Sequence, residues 1–466
     1  MSDYINKDES YRNHLATVSV TGKRTFIHPK KPSGKLHSIR AVVAWILLAF
    51  LFSAPFITMN GHQMLQFNVI ERTFIVFGVL FRPQDFFIFA LSFLVLLLFI
   101  ATFTSIFGRL WCGWACPQTI FLEFVFRKIE YLIEGDFLKQ KTLEAMKWNA
   151  EKIIKKFSKH IIFFSISFLI ANTFLAYIIG SESVLKIIFE PVEMHLTGFI
   201  AITIFSFVFY MVFARFREQA CIIACPYGRF QSVMVDDKTI AVTYDFKRGE
   251  PRGKMVKGST ETKGDCIDCH QCVHVCPTGI DIRNGIQLEC VNCTACIDAC
   301  DEVMTKIKKP KGLIRYASYE NIVKGTTFKL NARNFAYISV LTILTTILIF
   351  IFSNREQFDA LLLRQPGTIY QQIDQTHFAN MYNLKVSNKT DVELKSTLEV
   401  TSIPAEIKFI DDFKSVEPQG IKEFKLFIVV DKKYLQSNTN HLELIFRTQD
   451  GGVKKIKTQF LAPGKL

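Results

Sequence analysis

Cys266-Ile-Asp-Cys269-His-Gln-Cys272-Val-His-Val-Cys276-Pro277, followed by Cys290-Val-Asn-Cys293-Thr-Ala-Cys296-Ile-Asp-Ala-Cys300-Asp301, decides how this chain is read. In each run the cysteines are separated by two, two and three residues. That is the spacing of two-cluster bacterial ferredoxins. Two-residue gaps let a short loop wrap three thiolates around one cubane, while the fourth cysteine reaches across to the neighbouring cluster. The rule assigns one [4Fe-4S] cluster to Cys266, Cys269, Cys272 and Cys300, and the other to Cys290, Cys293, Cys296 and Cys276. Structural zinc is the alternative for paired Cys-x2-Cys, but a four-ligand ion has no use for the third repeat of the spacing or the Cys-Pro ending. Asp301 stands where the second run would carry its proline. Such clusters move single electrons.

The 466 residues are 49% hydrophobic and include 45 Phe, a heavy load for a soluble protein. Residues 41–59, 86–107, 161–179, 196–214 and 335–352 are uncharged runs long enough to cross a bilayer core as helices. The run Phe74 to Phe81 is too short and reads as a loop strand or an interfacial segment. The basic N-terminal 40 residues lead into the first apolar run without a small-residue cleavage site, so that run is expected to be an anchor.

Lys and Arg set the expected orientation. Lys23, Arg24, Lys30, Lys31, Lys35 and Arg40 precede the first span, whereas the loop 60–85 carries Arg72 and Arg82 alone. Loop 108–158 is again basic. The alternation puts the N-terminus in the cytoplasm and the C-terminus outside a bacterial inner membrane. The formal charge of +14 then reflects membrane topology and not nucleic-acid binding. All twelve cysteines fall on segments assigned to the cytoplasmic side or its boundary, as reduced thiols and clusters require.

Two further pairs form an internal repeat: Cys112-Gly-Trp-Ala-Cys116-Pro117 and Cys221-Ile-Ile-Ala-Cys225-Pro226, each at the cytoplasmic end of a hairpin of spans. On a helix, cysteines four apart share a face, and a pseudo-twofold axis would bring the four thiols together at the inner face. Four soft sulfurs suit Cu(I), or Fe and Zn by geometry. Redox-active dithiols and buried structural cysteines are the alternatives. Residues 141–158 have the spacing of a basic amphipathic helix on the inner leaflet. Met59, His62, Met64, Met194 and His195 lack a fixed ligand spacing, and ordinary interfacial residues are the preferred reading over a copper entry site. Residues 236–265 and Lys306 to Gly312 read as linkers. Beyond residue 353, Phe424, Leu426, Ile428 and Val430 alternate with polar residues, as do several other runs, and Asp450-Gly451-Gly452 signals a hairpin. The fold class expected is a multi-domain membrane protein with a five-helix α transmembrane region, a cytoplasmic bacterial-type 2[4Fe-4S] ferredoxin domain and a C-terminal all-β immunoglobulin-like domain.

Several stretches together resemble the cytochrome c oxidase accessory protein family called CcoG, FixG or RdxA. They are Leu15-Ala-Thr-Val18, Gly22-Lys-Arg24, Arg82-Pro-Gln-Asp85, Gly108 to Thr119, Arg127-Lys-Ile-Glu-Tyr131, Ile133-Glu-Gly-Asp136, Ala224 to Gln231 and Cys276 to Ile282. The resemblance covers nearly the whole length. It implies a factor in the assembly of the cbb3-type haem–copper oxidase that reduces Cu(II) to Cu(I). Two [4Fe-4S] clusters would supply the electron, and Cys112, Cys116, Cys221 and Cys225 would be the catalytic, copper-handling residues. The partners implied are a copper transporter or chaperone and cbb3-type oxidase assembly factors; the electron donor stays open. A quinol dehydrogenase-type electron-transfer subunit and a redox sensor or scaffold are the alternatives. The expected organisation is a cytoplasmic arm (1–40), four transmembrane helices with the Cys-x3-Cys-Pro pairs (41–215), the ferredoxin domain (216–334), a fifth transmembrane helix (335–352) and a periplasmic β-sandwich (353–466).

Overall fold

The computed structural model describes residues 16–19, 21–59, 61–69, 72–81, 86–254, 263–327, 330–354, 358–367, 369–390, 392–410, 415–418, 420–449 and 451–463. Leu15, the motif Arg82-Pro-Gln-Asp85 and Asp450 of the hairpin signal lie outside these residues. The chain divides into two units, Met1–Leu348 and Ile349–Leu466.

Among the described residues, five helices are long and apolar enough to cross a membrane: Lys35–Phe56, Phe87–Phe107, Ala150–Ile179, Val192–Phe216 and Ala332–Ser353. The first comprises α1 (Lys35–Ser53) and a single tighter turn over Ala54–Phe56. It starts and stops earlier than the uncharged run suggests, because Thr58–Met59 (β1) pairs with His62–Gln63 (β2). Leu65–Asn68 (β3), Thr73–Val76 (β4) and Val79–Phe81 (β5) then form a small antiparallel sheet, so the short run 74–81 is strand.

Behind α2 (Phe86–Phe107) the chain makes two short helices, α3 (Leu110–Trp114) and α4 (Pro117–Ile120), then a π-helical turn Phe121–Phe126 and α5 (Arg127–Ile133). Phe126 stacks on Phe213 at 4.5 Å between ring centroids and meets Phe163 edge-on at 4.8 Å. Ala44, Leu48, Phe121 and Ile170 complete that apolar core.

The expected amphipathic helix over 141–158 is corrected here. Helix α6 (Phe137–Ala145) ends, Asn149 caps a new helix by accepting from Lys152 N–H at 2.9 Å, and α7 (Ala150–Ile179) runs unbroken into the third span. The basic residues along it meet specific acceptors: Lys152 Nζ donates to the carbonyls of Glu144 and Met146, and Lys156 and Lys159 each lie 2.9 Å from Glu134. Alongside, Glu130 takes both terminal nitrogens of Arg217 at 3.0 Å. Burial opposes the Glu130 charge, yet Arg217, Lys159 and Arg127 outweigh it and hold its carboxyl below the usual range.

Helix α8 (Ser181–Phe189) and α9 (Leu196–Met211) complete the second hairpin; π-helical turns at Val212–Phe216 and Ala220–Ala224 lead to α10 (Pro226–Met234). The stretch 236–265, expected as a linker, contributes a strand. Ala241–Tyr244 (β6) pairs with Ile314–Ala317 (β7) across the ferredoxin-like core, and α11 (Phe246–Gly249) follows β6. That core holds α12 (Gln271–His274) and α13 (Ala295–Lys306), with α14 (Tyr319–Lys324) leading towards α15 (Ala332–Ser353).

The second unit is a β-sandwich. One sheet has the order Ala405–Phe409 (β12), Ile421–Asp431 (β14), His377–Asn388 (β10), Phe358–Arg364 (β8), with Gln371–Gln372 (β9) on β10; the other has Ser415–Val416 (β13), Leu394–Val400 (β11), Thr439–Thr448 (β15), Val453–Leu461 (β16). Phe424, Leu426, Ile428 and Val430, alternating along β14, are fully buried, as are Leu442, Leu444 and Phe446 on β15. Strands with one face on a core take this alternation. Arg447 opposite Val453 closes the last hairpin.

Candidate iron-sulfur and thiol site

The two ferredoxin-type loops repeat one another in backbone as well as in sequence. Asp268 and His270 on either side of Cys269 have φ of 54°, and Asn292 and Thr294 on either side of Cys293 have φ of 55° and 65°. Asp, His and Asn tolerate this left-handed region, but a β-branched Thr there is a true outlier. Fully buried Thr294 is held by its hydroxyl donating to the Cys293 carbonyl at 2.6 Å. The left-handed residues curl each loop so that α12 and α13 begin immediately behind it, with Cys272 and Cys296 in their first turns.

Each loop closes on a void. Cys266, Cys269, Cys272 and Cys300 line one, walled by Tyr244, Met304, Leu313 and Ile314. Cys276, Cys290, Cys293 and Cys296, together with Cys272, line the other, walled by Val242, Ile280 and Ile282. Cys300 thus lies with the first three cysteines of the first run, and Cys276 with those of the second. Eight sulfurs around two largely apolar pockets, with Cys272 lining both, are a donor set that fits two [4Fe-4S] groups. Burial pushes the Cys272 and Cys300 thiols up to about 12 and Cys290 up to about 11. Loading such a site therefore releases protons.

The Cys-x3-Cys pairs do not share one helical face. Cys112 sits in α3, whereas Cys116 is the residue before α4, with Pro117 in its first turn; Cys221 sits in a π-helical turn, and Cys225 precedes α10, with Pro226 in its first turn. Proline belongs at a helix start, where no N–H is needed, so each pair straddles a break. The repeat brings the four thiols into one neighbourhood. Burial raises Cys112, and burial together with Cys116 and Cys112 pushes Cys221 up to about 12, while Arg109 pulls both the other way. Cys112 Sγ donates to Gln231 Oε1 at 3.2 Å, and Arg109 Nε donates to the same oxygen at 3.2 Å. Among the described residues, no three His, Cys, Asp or Glu side chains converge closely enough to hold a single metal ion. Met64 packs in a small core, and His195 meets Glu190 at 2.5 Å.

This thiol quartet abuts the second cluster loop. Cys112 packs with Val275, Val291, Cys293 and Ala295 in one buried patch that Cys296 borders. A Cβ on Gly113 would stand 2.3 Å from the Val291 carbonyl oxygen, so only glycine permits this approach. Trp114 Nε1 donates to Tyr316 Oη at 3.1 Å, and that hydroxyl donates to the Asn292 carbonyl at 3.1 Å. By sequence Arg40 reads as an orientation signal alone and Tyr316 not at all, while Arg109, Gly113 and Gln231 lie inside the quoted stretches without a role; the usable signal is an arginine directly beside an apolar span and a glycine between two site cysteines.

Family comparisons cover the same segments. Residues 216–319 match a 4Fe-4S dicluster domain, and residues 89–141 match a 4Fe-4S binding domain. Residues 348–463 match the Ig-like fold at the C-terminal of FixG, a protein for which that description infers an oxidoreductase role. Nitrogen fixation protein FixG of Rhizobium meliloti is 36% identical over 305 residues, 64% of this chain and 58% of that one. Protein RdxA of Cereibacter sphaeroides is 36% identical over 298 residues, 63% of this chain and 62% of its own. Over these segments the chain is similar to the FixG and RdxA proteins. The matched part spans less than two thirds of either relative's length. A crystal structure of a FixG-related protein from Vibrio parahaemolyticus aligns with 24% of this chain and all of its own at 19% identity, and its TM-score of 0.20 carries no weight. The match over 89–141 includes Cys112 and Cys116, and the dicluster match includes Cys221 and Cys225 as well as the eight loop cysteines.

Proposed function

We propose that this membrane iron-sulfur protein reduces Cu(II) to Cu(I) for assembly of a cbb3-type cytochrome c oxidase, with Cys112, Cys116, Cys221 and Cys225 as the copper-handling thiols. Copper is the substrate, taken up and handed on through a copper transporter or chaperone and oxidase assembly factors. When bound, [4Fe-4S] groups at Cys266, Cys269, Cys272 and Cys300 and at Cys276, Cys290, Cys293 and Cys296 supply single electrons, one for each copper ion reduced. The observation that carries the reading is the shared buried patch of Cys112 with Cys293, bordered by Cys296, which sets a quartet thiol directly against the second cluster loop. Soft thiolates favour Cu(I) over Cu(II) and so ease the reduction of an ion delivered there. The basic segments support an arm and ferredoxin module in the cytoplasm and the β-sandwich in the periplasm. Accordingly Ser437→Cys should be labelled from outside intact cells and Thr305→Cys should not; the reverse pattern overturns this orientation.

A second reading has its own support. The match of residues 89–141, which include Cys112 and Cys116, to a 4Fe-4S binding domain favours a third cluster on the quartet. One experiment separates the two. Under copper reduction at the quartet, anaerobically purified protein holds about eight iron. The Cys112→Ser, Cys221→Ser variant then keeps that iron but loses copper and the reoxidation caused by equimolar Cu(II). Under the second reading the parent holds about twelve iron and the variant loses about four. If the parent ignores copper and reacts with a quinone analogue, the quinol dehydrogenase alternative replaces both.

A further inference from the structure

By sequence, Arg40 is one more basic residue before the first span, yet its side chain is 1% exposed. Its Nε donates to the carbonyl of Gly113, the residue after Cys112, at 2.6 Å, and its Nη1 donates to the carbonyl of Cys293 at 3.2 Å. Nη2 donates to Glu123 at 2.5 Å, and the guanidinium lies 5.1 Å from the centre of the Phe124 ring. A single rigid fork therefore fastens the quartet loop to the second cluster loop, with one carboxylate balancing its charge. A buried arginine without that partner would be strongly unfavourable. Lysine has the charge but not the planar fork needed to reach three acceptors at once.

We propose that Arg40 is a positioning residue that couples the two sulfur sites. It holds the Gly113 and Cys293 carbonyls in register, and its fixed positive charge favours the more reduced state of the group at Cys276, Cys290, Cys293 and Cys296. Glu123 sets the opposite bias. Buried charges a few ångströms apart interact far more strongly than in water, and net local charge is a main determinant of iron-sulfur potential. The proposal rests on the assignment of a cluster to those four cysteines; it does not rest on copper.

Anaerobic redox titration of the purified full-length protein, followed by cluster absorption and electron paramagnetic resonance, tests it. Arg40→Gln should lower one of the two midpoint potentials and leave the other in place. The expected size is several-fold to tenfold in the reduced-to-oxidised ratio at fixed poise, tenfold corresponding to about 59 mV for a one-electron couple. Glu123→Gln should raise the same midpoint. Arg40→Lys should stay near the parent potential but slow reoxidation by equimolar Cu(II) several-fold. Iron content at the parent level shows that a variant has folded. If Arg40→Gln fails to hold iron, a raised midpoint in Glu123→Gln beside a parent-like midpoint in Arg40→Lys decides. Shifts of the same sign in the Arg40→Gln and Glu123→Gln variants, or none with iron retained, overturn the proposal. Opposed shifts in a protein that never reduces copper would leave Arg40 in its role and remove the copper reading instead.

Discussion

The eight loop cysteines and the four boundary cysteines reach their sites by different routes. Each loop run is nearly self-sufficient: two-residue gaps and paired left-handed residues at Asp268, His270, Asn292 and Thr294 bend a dozen residues around one void. The boundary quartet has no such local code. Its pairs come from helix breaks 109 residues apart in sequence, held together by Gln231, Arg109 and the packing of the spans. Local loops make a site that tolerates change elsewhere, whereas an assembled site depends on every close approach that builds it.

Gly113→Ala is the change expected to break that comparison most sharply. The added Cβ meets the Val291 carbonyl at 2.3 Å and the Asn292 carbonyl carbon at 3.0 Å, backbone atoms that cannot swing aside. Such overpacking costs about 1–3 kcal/mol. We expect a lower unfolding midpoint in detergent and at least tenfold slower reoxidation by equimolar Cu(II), with iron retained at the first loop, whose backbone the added Cβ does not touch. Gly198→Ala, where a Cβ would meet nothing within 4 Å, is the control. Parent-like rates in Gly113→Ala would mean that the quartet does not need its approach to the second loop.

The same contrast explains what the sequence made legible. Cysteine spacing announces the loops because their geometry is short-range, and alternation along residues 421–431 announces a strand because one face must be buried. The five spans were legible from uncharged length, though their ends were not. Lys152 and Lys156 read as an amphipathic surface, since nothing local reveals that Glu144, Met146 and Glu134 wait for them across a helix break. The Cys-x3-Cys repeat showed that four thiols belong together, but the break within each pair, and Arg40 as the bolt between the sites, exist only once distant segments have packed.

Asp298 supplies a gentler way to sharpen the comparison, because it ties the local module to the membrane helix without lining a site. Helix α1 begins after Gly34, which has no side chain to cap it. Asp298, between Cys296 and Cys300, supplies the missing acceptor: its carboxylate takes the Leu36 N–H at 3.2 Å and the His37 N–H at 2.7 Å. Gly34 is again required, since a Cβ there would stand 2.4 Å from the Asp298 carboxyl carbon. An anionic cap at a helix start both satisfies free N–H groups and meets the positive end of the helix dipole. Its removal costs about 0.5–2 kcal/mol in ordinary helices. Asp298→Ala should therefore lower the unfolding midpoint by less than Gly113→Ala does. Asp298→Asn, which keeps an acceptor but not the charge, should lose only part of that amount. Both should retain parent iron, since the loop backbone at Cys293 to Cys296 is held by Thr294 and Arg40 and not by this carboxylate. A loss of iron in Asp298→Asn would show that the second loop borrows its shape from the first span, and the distinction between a local and an assembled site would then fail.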